Sequence, residues 1–91
     1  MNQVAEAEVE VKNANGLHIG PAGEVVKTAI SFLSKITIRR GTDVANAHSM
    51  VALTTLGAGI GTRLIIRAEG PDAEAAVKAI AELFNRKFGE D

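Results

Sequence analysis

Hydrophobic and charged residues alternate in two separate stretches of the chain. In the first, valines are set against charged side chains between residues 4 and 12: Val4, Val9 and Val11 against Glu6, Glu8, Glu10 and Lys12. In the second, Lys35-Ile36-Thr37-Ile38-Arg39 alternates with the same period of two. This period is typical of strands that bury one face and expose the other. We therefore predict two half-buried strands at these places.

Between these strands, apolar residues recur at the three- and four-residue spacing of a helix. Asn13-Ala14-Asn15-Gly16 is rich in turn-forming residues and precedes this region. Pro21 suits the first turn of a helix, where its missing N–H costs no hydrogen bond. The spacing after it predicts one buried stripe, with Phe32 at its edge: Ala22, Val25, Val26, Ala29, Ile30 and Leu33.

The middle of the chain predicts a turn, a short strand and a short helix. Arg40-Gly41-Thr42-Asp43 is suited to a tight return, and residues 44–46 then form a third strand. Ser49 is a favoured N-cap residue for a helix that runs to about Thr55. Gly57 is expected to end this helix.

The last third of the chain predicts one more strand and one more helix. Arg63-Leu64-Ile65-Ile66-Arg67-Ala68 is strongly hydrophobic and predicts the fourth strand. Pro71 prevents this strand from continuing, and Asp72 is a suitable N-cap for the helix after it. The inward face of that helix comprises apolar residues at helical spacing: Ala76, Val77, Ile80, Leu83 and Phe84.

The predicted elements follow the order β-α-β-β-α-β-α. This order favours an α+β fold in which a four-stranded antiparallel sheet carries three helices on one face. No linker, repeat or low-complexity segment interrupts the sequence. Residues 1–91 are therefore expected to form a single domain.

Composition narrows the range of functions. Hydrophobic residues make up 46% of the chain and cysteine is absent, which suits a globular domain without disulfides or thiolate metal sites. A formal net charge of -1 and 3% aromatic residues provide neither the basic surface nor the stacking rings of a nucleic-acid-binding protein. The first residues lack a signal-peptide pattern, and no apolar run is long enough to span a membrane. We expect a soluble, cytoplasmic protein.

The candidate chemistry lies in Gly16-Leu17-His18-Ile19-Gly20-Pro21. This pattern places a histidine at the start of the predicted helix, where free N–H groups and the helix dipole favour an anion. Imidazole is nucleophilic and can be neutral near physiological pH, so it can accept a phosphoryl group and release it again. Gly20 would let an incoming group approach the backbone. A single histidine after a turn is also common as an ordinary surface residue, and the local sequence leaves both interpretations open.

Three segments of the chain together resemble a known family. They are Gly16-Leu17-His18-x-x-Pro21-Ala22, the run Ala47-His48-Ser49-Met50 through Thr55-Leu56-Gly57, and Ala68-Glu69-Gly70 with Asp72 after it. They are similar to the active-site signature, the regulatory-serine segment and the run into the last helix of HPr. HPr is the histidine-containing phosphocarrier of the bacterial phosphotransferase system. The resemblance covers essentially the whole chain and implies that family's open-faced β-sandwich.

The resemblance implies a phosphoryl carrier and not an enzyme. His18 would accept a phosphoryl group on Nδ1 from enzyme I, which is charged by phosphoenolpyruvate, and pass it to an enzyme IIA. Pro21 would start the helix behind the histidine. The protein would need no cofactor and would act as a monomer. No metal site is expected either, because two histidines without cysteines or clustered carboxylates do not make one.

Position 20 departs from the family pattern, because Gly20 stands where the family normally has an arginine. In the family this guanidinium pairs with phosphoryl oxygens or with carboxylates of the partner. A charge-assisted hydrogen bond of that kind contributes about 1.5–3 kcal/mol. If it acts mainly in the transition state, its loss would slow transfer by roughly ten- to a hundredfold. We expect His18 to be a slower acceptor or one matched to an unusual partner, with Ile19 and Gly23 also altering the surface that faces it.

The resemblance assigns further roles around the predicted short helix. Ser49 matches the serine that an HPr kinase/phosphorylase modifies in many lineages, although helix capping alone explains a serine here equally well. His48 stands where a lysine is common and is expected to be an exposed flanking residue. An apolar surface is expected to dock partner proteins: Ile19, Met50, Val51, Thr54 and Gly57.

Two alternatives to the carrier remain open. One is a regulatory member of the family controlled by phosphorylation of Ser49, with sugar-linked transfer as a minor activity. The other is a non-catalytic protein-interaction module that keeps the fold without the chemistry. A nucleotide-binding function is not a further alternative. The glycine-rich run Gly57-Ala58-Gly59-Ile60-Gly61 follows a predicted helix and precedes a predicted strand, whereas a dinucleotide-binding glycine motif follows a strand and precedes a helix.

Overall fold

Four strands and three α-helices make up most of residues 3–90, the part of the chain that the computed structural model describes. Their bounds in chain order are β1 (Gln3–Glu10), α1 (Ile19–Ala29), β2 (Lys35–Arg40), β3 (Asp43–Asn46), α2 (Met50–Thr55), β4 (Arg63–Gly70) and α3 (Ala73–Asn85). A tight turn over Lys87–Gly89 follows α3. The predicted order of strands and helices is therefore confirmed.

The strands form one antiparallel sheet in the spatial order β1-β4-β2-β3. Because side chains alternate between the two faces of a strand, the charged residues of β1 and β4 share the outer face. There Arg67 pairs with Glu6 at 3.5 Å and Arg63 pairs with Glu8 at 3.3 Å. These pairs are exposed and add little stability. The apolar face opposite them provides the core.

The apolar face of the sheet carries the helices. β2 and β4 bury alternate side chains completely: Ile36, Ile38, Leu64, Ile66 and Ala68. α3 lies mainly on β1 and β4, and α1 packs against α2 and α3. Every residue of the predicted inward face of α3 is buried: Ala76, Val77, Ile80, Leu83 and Phe84. The predicted α+β fold, a four-stranded antiparallel sheet with three helices on one face, is confirmed.

None of the helices in residues 3–90 is long and apolar enough to cross a membrane.

The prediction that Ile30 and Leu33 continue the buried stripe of α1 is wrong. The helix ends one residue before Ile30, and these side chains are 64% and 84% exposed. The amide and the hydroxyl of Ser31 both donate to the carbonyl oxygen of Thr28, which tightens the end of the helix. Without another helical turn the four-residue spacing no longer defines a face, and only Phe32 packs back against the core. The earlier part of the stripe is buried or half-buried as predicted: Ala22, Val25, Val26 and Ala29.

The placement of Val4 on the inner face of β1 is also wrong. Val4 lies in the outward phase that the glutamates of this strand share, and it is 54% exposed. Ala5 and Ala7 take the inward positions and pack against the core. Their small side chains let α3 lie close to this strand. Val9 and Val11 are buried as predicted.

Asp72 occupies the N-cap of α3 as predicted, but its side chain does not cap that helix. Its carboxylate accepts the N–H groups of Leu33 and Ser34, each at 2.9 Å, and the hydroxyl of Ser34 at 2.5 Å. The hydrogen bond from the Ser34 hydroxyl is the main cause that lowers the pKa of Asp72 below 3.8, and the Leu33 N–H contributes next. Asp72 therefore ties the start of α3 to the segment that follows α1.

Replacing Leu64 by alanine is expected to destabilise the fold by about 2–5 kcal/mol, because the side chain is completely buried and its truncation leaves a cavity. Leu33→Ala is the matched control. Because Leu33 is 84% exposed, this change should alter the free energy of unfolding by less than about 0.5 kcal/mol. Urea unfolding followed by circular dichroism measures both. Similar losses in the two variants would contradict the exposed position of Leu33.

Because of the hydrogen bonds to Asp72, we expect part of the free energy of unfolding to depend on pH in the acidic range. Because the pKa of this carboxyl is depressed in the folded state, its contribution is fully present above the unfolded value of 3.8. It is lost as the pH falls through the lower folded pKa. Asp72→Asn should therefore be less stable than the unaltered chain at neutral pH and should lose less stability below pH 3.8.

Urea unfolding across this pH range measures the effect of Asp72, and Asp43→Asn is the control because Asp43 is exposed on β3. Identical acid dependence in Asp72→Asn and the unaltered chain would contradict the role given to this carboxylate.

Candidate functional site

The segment before α1 lies against the loop between α2 and β4. Gly16 has a φ of +68°, and a Cβ on it would lie 2.4 Å from the carbonyl oxygen of Ala58, so only glycine fits this position. The N–H of Leu17 donates to the same oxygen at 2.9 Å, and the Leu17 side chain is buried. These contacts fix the residue that follows, His18, at the start of α1.

His18 is the N-cap residue of α1, with extended backbone and no capping bond from its side chain. Its carbonyl oxygen accepts the N–H of Ala22 at 2.9 Å. Pro21 lies in the first turn as predicted, although the helix begins earlier, at Ile19. The N–H groups of Ile19 and Gly20 have no acceptor within the helix. Since the first turn also has no acidic residue, this end of α1 favours an anion.

A carboxylate that no sequence pattern indicated reaches Nε2 of the histidine. Oε2 and Oε1 of Glu90 lie 2.9 and 3.1 Å from Nε2 of His18. The Asn13 amide donates to Oε1 of Glu90 at 3.0 Å and to the carbonyl oxygen of Gly16 at 2.7 Å. The hydrogen bond from His18 is the main cause that holds the pKa of Glu90 below 4.5; partial burial opposes this effect and the Asn13 amide adds to it.

The contact between Glu90 and His18 spans 72 residues, which explains why the sequence analysis missed it. The spacing of hydrophobic residues gives no structural role to residues 86–90, which follow the last helix. The one weak signal is Gly89, because a glycine after a helix permits a left-handed turn, and its φ is +74°. No pattern in the sequence says where such a turn delivers the next side chain.

Gly20 lies beside both groups. A Cβ at this position would lie 3.4 Å from Cε1 of His18 and 3.6 Å from Oε2 of Glu90. These are ordinary contact distances, so a larger side chain at position 20 would begin between the ring and the carboxylate. The place of the family's arginine therefore faces Glu90 as well as the histidine.

The residues of the expected docking surface are exposed and belong mainly to α1 and α2, which contact each other. Ile19 on α1 is 69% exposed, and Met50 and Val51 on α2 are 36% and 76% exposed. The Met50 side chain lies against α1, 3.8 Å from where a Cβ on Gly23 would be. Two further residues of the expected surface, at the end of α2 and just after it, are exposed as well: Thr54 and Gly57. We refer to Ile19, Met50, Val51, Thr54 and Gly57 as the docking surface.

Ser49 caps α2 as predicted. This residue is half-buried, and its hydroxyl oxygen accepts the N–H of Ala52 at 3.1 Å. His48, the residue before it, is exposed as predicted, and its N–H donates to the Asn46 side chain at 2.8 Å. Capping therefore accounts for the serine structurally, and this half-buried residue directly precedes Met50 of the docking surface.

The chemistry open to this site is that of an imidazole beside backbone amides and one carboxylate. Within residues 3–90, no three His, Asp or Glu side chains gather closely enough to hold a metal ion. An imidazole nitrogen at a helix N-terminus can act as a nucleophile towards an anionic group that the amides stabilise.

The amino-acid sequence matches one family of known proteins along most of its length. The family model described as "PTS HPr component phosphorylation site" matches residues 5–86. Phosphocarrier protein HPr of Treponema pallidum is 42% identical over 83 residues, which cover 91% of this chain and 94% of that protein.

Solved structures agree with the sequence match. HPr-C-His from Thermoanaerobacter tengcongensis superposes with a TM-score of 0.91 and 39% identity, covering 96% of this chain and 98% of that one. A structure described as an HPr dimer from the same organism gives a TM-score of 0.76 and 40% identity, covering 90% and 94% of the two chains. Because sequence and fold match over nearly the whole length, the chain belongs to the HPr family of the phosphotransferase system.

Proposed function

We propose that this chain is a phosphoryl carrier, which accepts a phosphoryl group on His18 from enzyme I charged by phosphoenolpyruvate and passes it to an enzyme IIA. The observation that carries the proposal is the position of His18 at the N-terminus of α1, beside the N–H groups of Ile19 and Gly20. A phosphoryl group on the ring would find hydrogen-bond donors and a favourable helix dipole there. The chain would be a substrate of its two partners in the cytoplasm and would need no cofactor.

Each transfer would form one bond to phosphorus and break one. The lone pair of Nδ1 of His18 attacks the phosphorus of the charged donor, and the donor's own bond to phosphorus breaks with its electron pair returning to the donor. The outward step reverses these roles with enzyme IIA as acceptor. In-line positioning and stabilisation of charge on the phosphoryl oxygens supply most of the rate in such reactions. In this chain the amides of Ile19 and Gly20 would contribute that stabilisation.

The docking surface would bind both partners. Its exposed apolar side chains belong to the first turn of α1 and to α2, next to the histidine. A partner seated on Ile19, Met50 and Val51 would cover the approach to His18 and exclude water from the phosphoryl group. We propose that the chain presents this surface as a monomer, in contrast to the HPr dimer described for Thermoanaerobacter tengcongensis.

Regulation through Ser49 is the second candidate function. This half-buried residue lies at the start of α2, next to Met50 of the docking surface. A phosphate added there by an HPr kinase/phosphorylase would place negative charge where partners dock. The two candidates differ chemically, because phosphohistidine is labile in acid whereas phosphoserine is stable.

Incubation with phosphoenolpyruvate and enzyme I of the same organism is expected to add one acid-labile phosphoryl group. His18→Ala should abolish the adduct, because it removes the nucleophile. His48→Ala is the matched control and should leave the adduct unchanged, since His48 is exposed and lies outside α1. Intact-mass spectrometry before and after acid treatment measures the adduct, and native conditions report the oligomeric state.

Other outcomes of this experiment point to other functions. An acid-stable adduct in the presence of ATP and an HPr kinase that survives in His18→Ala and disappears in Ser49→Ala would favour the regulatory role. No adduct from an enzyme I that phosphorylates another HPr would overturn the carrier proposal. The interaction module would then be the leading account.

Gly20→Arg is expected to raise the rate of transfer from enzyme I by roughly tenfold, because a guanidinium would add charge-assisted hydrogen bonds to the phosphoryl oxygens. Gly20→Lys is the control, since it supplies a charge without the planar pair of donors. Rapid-quench kinetics with the cognate enzyme I measure both. An unchanged rate in Gly20→Arg would mean that this chain gains nothing from a guanidinium here.

A further inference from the structure

The segment after α3 adopts a backbone that few side chains tolerate. Lys87 and Phe88 have φ values of +55° and +54°, and Gly89 follows with +74°. Two consecutive non-glycine residues in the left-handed region are unfavourable unless the surrounding structure holds them there. Short main-chain bonds close the turn, from Gly89 N–H to Arg86 O at 3.0 Å and from Glu90 N–H to Lys87 O at 2.8 Å.

Packing of one aromatic ring holds this turn in place. Phe88 lies edge-to-face on Phe84, with ring centroids 4.8 Å apart and planes inclined by 72°. Phe84 is completely buried in the core, so it gives Phe88 a fixed support. The unfavourable backbone is thus maintained by the core, and its result is the delivery of Glu90 to His18.

The carboxylate is held from two sides. It meets Nε2 of His18 through both oxygens, and Oε1 also accepts the Asn13 amide at 3.0 Å. Asn13 is completely buried, and its amide is fixed on the carbonyl oxygen of Gly16. An ionised carboxylate can only accept hydrogen bonds, so Nε2 must carry the proton of this contact. Nδ1 of the neutral ring is then the nitrogen with a free lone pair.

Nδ1 lies on the edge of the ring nearer Gly20 and makes no hydrogen bond to the first amides of α1. A Cβ on Gly20 would lie 3.4 Å from Cε1 of His18 and 4.0 Å from Nδ1, so this edge of the ring lies over the first turn of α1. Glu90 and Gly20 therefore contact different parts of the ring, one at Nε2 and one near Nδ1. The arrangement orients the ring as well as its proton.

We propose that Glu90 is a positioning residue for His18, which keeps the proton on Nε2, directs Nδ1 to the start of α1 and balances the charge of the phosphorylated ring. This inference rests on the proposed phosphoryl transfer. When Nδ1 attacks phosphorus, the P–N bond forms with the lone pair of Nδ1, and the ring becomes a cation because Nε2 keeps its proton. Glu90 neutralises that cation and takes up no proton. When the P–N bond breaks, its electron pair returns to Nδ1 and the neutral ring is restored.

This role differs from that of the family's arginine, which acts on the phosphoryl oxygens or on the partner. Glu90 is an anion at Nε2 of the ring and stabilises the imidazole part of the phosphorylated state. It does not replace the guanidinium absent at Gly20. It lowers the energy of the same intermediate by a separate interaction.

The proton position is measurable without any partner protein. In the full chain labelled with 15N at histidine, at a pH where the nitrogen spectrum shows the neutral imidazole, the ring nitrogens of His18 should report protonation at Nε2. Glu90→Ala should increase the share of the form protonated at Nδ1. Glu90→Gln should retain the Nε2 proton, because the amide oxygen can still accept it. Glu82→Ala is the control, since Glu82 is exposed on α3.

The charge effect is measured in the reaction that forms the phosphorylated chain. Because Glu90 stabilises the cationic ring, Glu90→Gln and Glu90→Ala should both slow phosphoryl transfer from enzyme I to His18 by roughly three- to tenfold, a small effect for a carboxylate that orients a histidine because this one is partly exposed to solvent. Glu82→Gln should not change the rate. Phe88→Ala should reproduce part of both effects, because it releases the turn without removing the carboxylate.

Each outcome decides between the possibilities. Unchanged ring signals in Glu90→Ala, or an unchanged transfer rate in Glu90→Gln, would overturn the positioning role. Equal slowing in Glu82→Gln would assign the effect to net charge and would also overturn it. If the unaltered chain accepts no phosphoryl group, the proposed function fails, while the ring signals still decide whether Glu90 fixes the proton of His18.

Discussion

The whole site depends on a close approach between two stretches of backbone, at which Gly16 lies against the carbonyl group of Ala58. A side chain at position 16 would separate the loops that precede α1 and β4. Further main-chain bonds join the same loops, from Val11 N–H to Thr62 O at 2.9 Å and from Gly61 N–H to Val11 O at 2.8 Å. The two loops are thus one unit that is continuous with the paired strands β1 and β4, and the histidine is supported by the sheet.

Above this support, His18 lies between two electrostatically different environments. The start of α1 attracts negative charge through its amides, whereas Glu90 supplies negative charge at Nε2 of the ring. A neutral imidazole carries no net charge, so its electrostatic interaction with either environment is weak. A ring that carries an anionic group at one nitrogen and a positive charge at the other would match both, so the site is complementary to the phosphorylated state of the proposed carrier.

The sequence was sufficient for the fold because strands and helices here are amphipathic over their full length, and the histidine motif was recognisable because it is contiguous. Prediction from the sequence failed at the end of α1 and at a contact between residues far apart in the chain. Ile30 and Leu33 keep helical spacing, but Ser31 closes the helix before them with hydrogen bonds that hydrophobic periodicity does not register. Glu90 could not be assigned to His18, because the contact requires a left-handed turn and 72 intervening residues to be placed first.

The position of Glu90 has a practical consequence for any altered form of the chain. A purification tag or fusion partner attached after residue 91 would begin within about 8 Å of the Cα atom of Glu90, given the spacing of consecutive Cα atoms. An attachment this close can disturb the contact between Glu90 and His18. β1 begins at Gln3, about 23 Å along the strand from Glu10 at its other end. The start of β1 therefore lies at the opposite end of the sheet from the loops that support the histidine.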